Sequence, residues 1–329
     1  MKKSILILLF ILTFNHINAQ LGFGKIEDIN RIKEVPLLVI LQEKSEKTIK
    51  KITKSKKADI NQYYSDIESF NTAIRDGFEN SWVFSNKIKF ITTKELETYN
   101  SKSNKRKYAY FQLLIDEGDD GFSLLESKGL ITTYNYALYL TGQKKPVYSY
   151  MYSSNLPNSA DFKFISQQIQ NYLVGREKLK SGKKSRKEMV AEFNKNAHEI
   201  KNKTLLLNKE DLTENLIDEI KNIYKYDYKI TTKDEIDKAI LNNDESIAYL
   251  KVVPMGQATG STGPIKVSKL LFLQYIMDAK NGQILTFIRP SSMGLGGTLG
   301  TALKDSKSKM KIKDLKKIIK AINPQISEL

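Results

Sequence analysis

The chain has 329 residues, with 53 Lys and Arg against 37 Asp and Glu, a formal net charge of +16, no cysteine and two histidines. At roughly 100 to 200 residues per domain this length fits about two domains, and a 40% hydrophobic content favours packed cores over disorder. The absence of cysteine excludes disulfides, thiolate nucleophiles, iron–sulfur clusters and Cys-ligated zinc.

In chain order, Lys2 and Lys3 lead into an apolar run from Ile5 to Phe14, and Ala19 offers the small residue a signal peptidase needs. Such a run is too short to span a bilayer, which takes about 20 apolar residues. Residues 1–19 are therefore read as a cleaved secretory signal. The mature chain is then extracytoplasmic, periplasmic or secreted, with no transmembrane segment. Leu37 to Leu41 predicts a buried strand, and Ile60, Tyr63, Ile67, Phe70, Ile74 and Phe78 recur at helical spacing after a lysine-rich connection, Lys44 to Lys57. A strand follows over Ile88 to Thr93, then a short helix opening on Thr93 with Glu95 suited to its start. Three strands come next, Tyr108 to Ile115, Leu130 to Leu140 and Val147 to Tyr152. A closing amphipathic helix carries Phe162, Ile165, Ile169 and Tyr172 on one face.

Arg176 to Lys187 holds seven basic residues and one acid and reads as a linker. It leads into a connecting helix with Met189, Phe193, Ala197 and Ile200 on one face. The pattern then starts again: strand Leu205 to Leu207, helix Leu212, Leu216, Ile220 and Ile223, strand Tyr228 to Thr232, a helix opening on Thr232, strands Ile247 to Val253, Leu270 to Asp278 and Ile284 to Ile288, and a helix with Ile312, Leu315, Ile319 and Ile322. Short identities mark the same period. Ile91-Thr92-Thr93-Lys94 recurs as Ile230-Thr231-Thr232-Lys233, Ala109-Tyr110 as Ala248-Tyr249 and Asn135-Tyr136 as Gln274-Tyr275, all offset by 139 residues, and Ser153-Ser154 as Ser291-Ser292, offset by 138. The expectation is an α/β (α+β) fold made twice, each copy a mixed sheet in the order β-α-β-α-β-β-β-α with helices packed on it. The domains are residues 20–182 and 201–329, joined by a basic linker and helix at 183–200.

In element order, with the apolar strand and amphipathic helix of Leu37 to Phe78 leading to a strand meander, each copy resembles the amino-terminal domain type of TolB and the related CsgG and LpoB envelope proteins. Tyr108 to Ile115 lacks the glycine-led strand motif usual in those families. The resemblance implies an accessory role in the cell envelope without catalysis.

The residues offer no catalytic constellation, no metal site and no cofactor site. His198, the one histidine of the mature chain, has no triad partners in sequence and reads as a surface residue. The acidic run Asp116, Glu117, Asp119 and Asp120 has Ser127 where a calcium loop needs its bidentate glutamate, and reads as a solvated hairpin loop. Two glycine-rich stretches in the second copy, with Gly256, Gly260 and Gly263 and with Gly294, Gly296, Gly297 and Gly300, are candidate partner or ligand loops. Lys313, Lys316, Lys317 and Lys320, within a segment of eight lysines and two aspartates from Thr301 to Lys320, form a candidate anionic-surface patch. Asn202-Lys203-Thr204 is a glycosylation sequon in a eukaryotic setting. The function expected is a non-enzymatic binding or accessory protein of the cell envelope. Its partner is an envelope or extracellular protein or an anionic polymer, nucleic acid being disfavoured. The alternatives are a carboxylate-based hydrolase acting on glycan or peptidoglycan, and a small-ligand-binding protein.

Overall fold

The computed structural model describes residues 24–54, 59–114, 133–153, 156–178, 194–259, 267–288 and 309–324. Residues 1–19, the acidic run 116–121 and most of the basic linker lie outside them. The first half contains α1 (Ile26–Glu34), β1 (Leu37–Ile40), α2 (Glu46–Lys54), α3 (Ile60–Glu79), β2 (Ile88–Ile91), α4 (Thr93–Tyr99), β3 (Ala109–Leu114), β4 (Thr133–Leu140), β5 (Tyr148–Ser153) and α5 (Ser159–Lys178). The second contains a 3-10 turn (Ala197–Asn202), β6 (Thr204–Asn208), α6 (Glu214–Ile223), β7 (Tyr228–Thr231), α7 (Lys233–Leu241), β8 (Ile247–Thr259), β9 (Val267–Asp278), β10 (Ile284–Ile288) and α8 (Ile312–Ile322).

Strands β1 to β5 form one five-stranded sheet in the order β2-β1-β3-β4-β5, and β6 to β10 form another in the equivalent order, read from β7 through β6, β8 and β9 to β10. In each, the first strand pairs in parallel with its two neighbours and the last three form an antiparallel meander. The α/β architecture made twice is therefore present. The structure departs from the sequence reading in three places, the first being helix α1, which precedes β1 and was not expected. The lysine-rich stretch after β1 contains helix α2, and Ala197 and Ile200 of the expected connecting helix are buried on a 3-10 turn, while Met189 and Phe193 lie outside the described residues.

The repeat is real, but its register drifts. Ile88 and Tyr228, which open β2 and β7, are 140 residues apart. Ala109 and Ala248, paired with Leu37 and Leu205, are 139 apart. Their antiparallel partners, Leu140 and Asp278, are 138 apart. The equivalent of Tyr136 is accordingly Gln274 and not Tyr275, and a one-residue slip puts a side chain on the opposite face of a sheet. Tyr136 packs with Phe111 and Phe162 under the first sheet. Tyr275 instead packs on Phe287 and faces the first unit.

The two units stack head to tail. On the first sheet, Leu37, Val39, Phe111, Tyr136 and Leu138 face α1, α3 and α5, while Leu38, Ile40, Tyr110 and Tyr139 face α4 on the other side. On the second sheet, Leu205, Leu207, Leu250 and Ile276 face α6 and α8. Its other side, Leu206, Tyr249, Leu273, Tyr275 and Met277 with α7, packs against α5 of the first unit in one continuous core. Helix α5 therefore lies between both sheets, and all ten residues from Asp161 to Gln170 are buried. A one-faced amphipathic helix was the expectation; contact on two sides is what buries its polar residues as well. Among the described residues no helix is long and apolar enough to cross a membrane.

Candidate functional site

Among the described residues, a dense set of ionisable side chains lies where the start of α5 meets the second unit. Asn158 caps that helix: its side chain accepts from the Asp161 amide at 3.0 Å and its own amide donates to Asp161 Oδ2 at 3.2 Å, a reciprocal arrangement that satisfies two otherwise open donors. The second oxygen of Asp161 accepts from the Tyr152 hydroxyl at the end of β5. From the second unit, Lys251 on β8 donates to Tyr152 Oη at 2.7 Å and reaches Asp161 Oδ1 at 3.4 Å. Its ammonium also lies over the rings of Tyr152 and Phe164 at 4.7 and 4.9 Å. Lys233, the first residue of α7, contacts Asp161 Oδ2 at 3.3 Å and Asp237 Oδ2 at 2.6 Å, and Asp237 also accepts from Asn158 Nδ2 at 2.6 Å.

The Asp161 side chain is 1% exposed, that of Lys251 14% and that of Lys233 44%. Burial presses the Asp161 pKa upward, but the ammonium groups of Lys251 and Lys233 and the Tyr152 hydrogen bond outweigh it and hold the carboxyl below its ordinary value. Burial, the Asp161 charge and the same hydrogen bond hold the Tyr152 phenol well above its own. Burial lowers the Lys233 pKa, and Asp161 and Asp237 raise it further than burial lowers it. The cluster thus holds two carboxylates and two ammonium groups that cancel.

Farther along α5 the contacts continue. Lys163, buried, donates to the carbonyl of Leu241 at the end of α7 at 2.8 Å, a favourable place for a cation at a helix C-terminus. Gln168 and Asn171 donate to the carbonyl of Gly282 in the β9–β10 turn at 2.7 and 2.9 Å. Gly282 has φ +66°, and a Cβ there would run into the Gln167 side chain, so the turn needs glycine on both counts.

Sequence reasoning assigned no role to Tyr152, Asn158, Asp161, Lys233, Asp237 or Lys251. The cluster joins residues between 72 and 99 positions apart, and only the Asn158–Asp161 and Lys233–Asp237 spacings carry a local signal. Of the glycine candidates, Gly256 stands inside β8, opposite Leu270; the stretch from Met255 to Thr259 is strand, correcting its reading as loop. Gly260, Gly263, Gly294, Gly296, Gly297 and Gly300 lie outside the described residues. Lys313, Lys316, Lys317 and Lys320 are exposed together on α8, with Lys317 3.1 Å from Asp314. His198 is exposed, its Nδ1 3.2 Å from the Lys195 carbonyl. Among the described residues no group of three or more His, Cys, Asp or Glu is placed to hold a metal ion. Comparison with protein-family models, with curated proteins and with solved structures found no match.

Proposed function

We propose that the chain is a non-enzymatic binding or accessory protein of the cell envelope, periplasmic or secreted after removal of residues 1–19. The observation that carries this reading is the use to which its best-placed carboxylates are put. Asp161 and Asp237 come close enough to share one ammonium, that of Lys233. A paired-acid hydrolase instead needs an open space about 5 to 10 Å across between its carboxylates for sugar and water. Here the shared lysine fills that space and the group fastens one unit to the other. The face between the units, where a small ligand would sit, is likewise filled by α5. The outward surfaces of the two packed units remain for recognition, and the element-order likeness to TolB-type, CsgG-like and LpoB-like domains belongs to the same proposal.

Two measurements test it. Amino-terminal sequencing of the protein exported by expressing cells should begin at Gln20. Crosslinking and pull-down from the envelope fraction, with salt titrated to separate basic adhesion from specific docking, should retain a partner at high salt. Hydrolysis of glycan or peptidoglycan by the purified chain, abolished in Asp237→Asn, would overturn the reading in favour of the hydrolase.

A further inference from the structure

Helices α5 and α8 close the two copies and match position by position. Asp161 and Asp314 both accept at their own helix starts, from the amides of Asn158 and Lys311. Phe162, Ile165 and Ile169 recur as Leu315, Ile318 and Ile322, all buried. The next face around is the one α5 lays on the second unit: Lys163 binds the Leu241 carbonyl, Phe164 lies under the Lys251 ammonium and Gln167 packs at Gly282. In α8 the corresponding residues are Lys316, Lys317 and Lys320, and this face is exposed.

We propose that this face of α8 docks on the anionic headgroups of a lipid surface, an assignment that rests on the envelope reading above. Three observations select that partner. The lysines at 313, 316, 317 and 320 lie along one stripe of about 10 Å at 1.5 Å per residue, and the 3-10 turn packed beside α8 adds exposed Lys201, with exposed Lys195 just before it. The stripe stands on the crest of a helix whose counterpart in α5 lies flat against a sheet, so it suits a plane rather than a strand held in a groove. Its exposed residues include no aromatic side chain on which a nucleic-acid base could stack. Exposed Glu214, Asp218 and Glu219 on α6 flank the other side, so the molecule meets the surface tilted toward the 3-10 turn.

The test is co-sedimentation of the mature full-length chain with phosphatidylcholine vesicles, with and without phosphatidylglycerol. Binding is expected only with the anionic lipid, and should fall about tenfold or more in the Lys316→Glu/Lys320→Glu double variant and at about 1 M salt, where screening shortens to ~3 Å. Lys102→Glu/Lys107→Glu, exposed on the first unit, should bind as the parent does; circular dichroism checks that both variants fold. Equal loss in both double variants, no binding to anionic vesicles, or retention on a soluble polyanion in preference to vesicles would overturn the assignment. Loss of vesicle binding alongside an intact high-salt pull-down would sink this inference and leave the broader reading standing.

Discussion

Asp161 is the residue on which two lysines of the second unit, Lys233 and Lys251, converge. Removing one partner of a buried ion pair leaves the other charge uncompensated, which costs about 3 to 5 kcal/mol. Asp161→Asn should therefore lower unfolding free energy by about 3 kcal/mol in denaturant titration, because it strands Lys251 at 14% exposure. Lys233→Ala should cost no more than about 1 kcal/mol, since that side chain is 44% exposed and water screens it. The pH dependence follows from the depressed carboxyl. In acid the unfolded chain binds a proton at Asp161 before the folded chain does, so the stability this group contributes is complete above the ordinary value of 3.8 and disappears as pH falls through the lower folded value. The gap between parent and Asp161→Asn should thus be constant from neutral pH down to about pH 5 and close below about pH 4.

At the scale of elements, the packing of α3 on α5 depends on one missing side chain. A Cβ on Gly77 would collide with Phe162 Cβ and come within 2.8 Å of the Lys163 amide nitrogen, backbone that cannot swing away. Gly77→Ala is expected to destabilise by about 1 to 3 kcal/mol through overpacking, read as a lowered Tm. The same helix marks the limit of periodicity as a guide. Phe162, Ile165 and Ile169 announced one buried face and are buried, but the polar Lys163, Gln167, Gln168 and Gln170 are buried too. A polar residue on a helix looks the same in sequence whether water or a carbonyl from another unit is its partner. In α8 the equivalent pattern told more of the truth, because Lys313, Lys316, Lys317 and Lys320 are exposed. There Leu315→Ala should cost about 2 to 5 kcal/mol, while Lys316→Ala should leave stability within about 0.5 kcal/mol.

For the whole molecule, the shared helix makes two copies into one cooperative body. Calorimetry should record a single transition with calorimetric and van't Hoff enthalpies in agreement. A chain of residues 194–329 alone should bind a hydrophobic dye and unfold at lower temperature, because Leu206, Tyr249, Leu273, Tyr275 and Met277 lose the helix that covers them. Two separate transitions would show that α5 is not the common core. The corresponding sheet faces of the two units also differ in composition. The sheet face that meets the first unit carries Leu273, Tyr275 and Phe287, whereas the equivalent positions of the first sheet are Asn135 and Ser149, both half-buried, and Ala137, buried.

The element order common to both copies, the mixed sheets and the duplication were determined by the sequence alone, though not the added helices α1 and α2, because strand runs, helical spacing and capping residues are short-range patterns that each segment carries for itself. The tertiary structure decided the one-residue drifts between copies, which side of each sheet meets the other unit, and the gathering of Tyr152, Asp161, Lys233 and Lys251 from four separate elements. Each of those residues is locally compatible with an exposed position; only the stacking of one unit on the other removes water from around them and makes each the partner of the next.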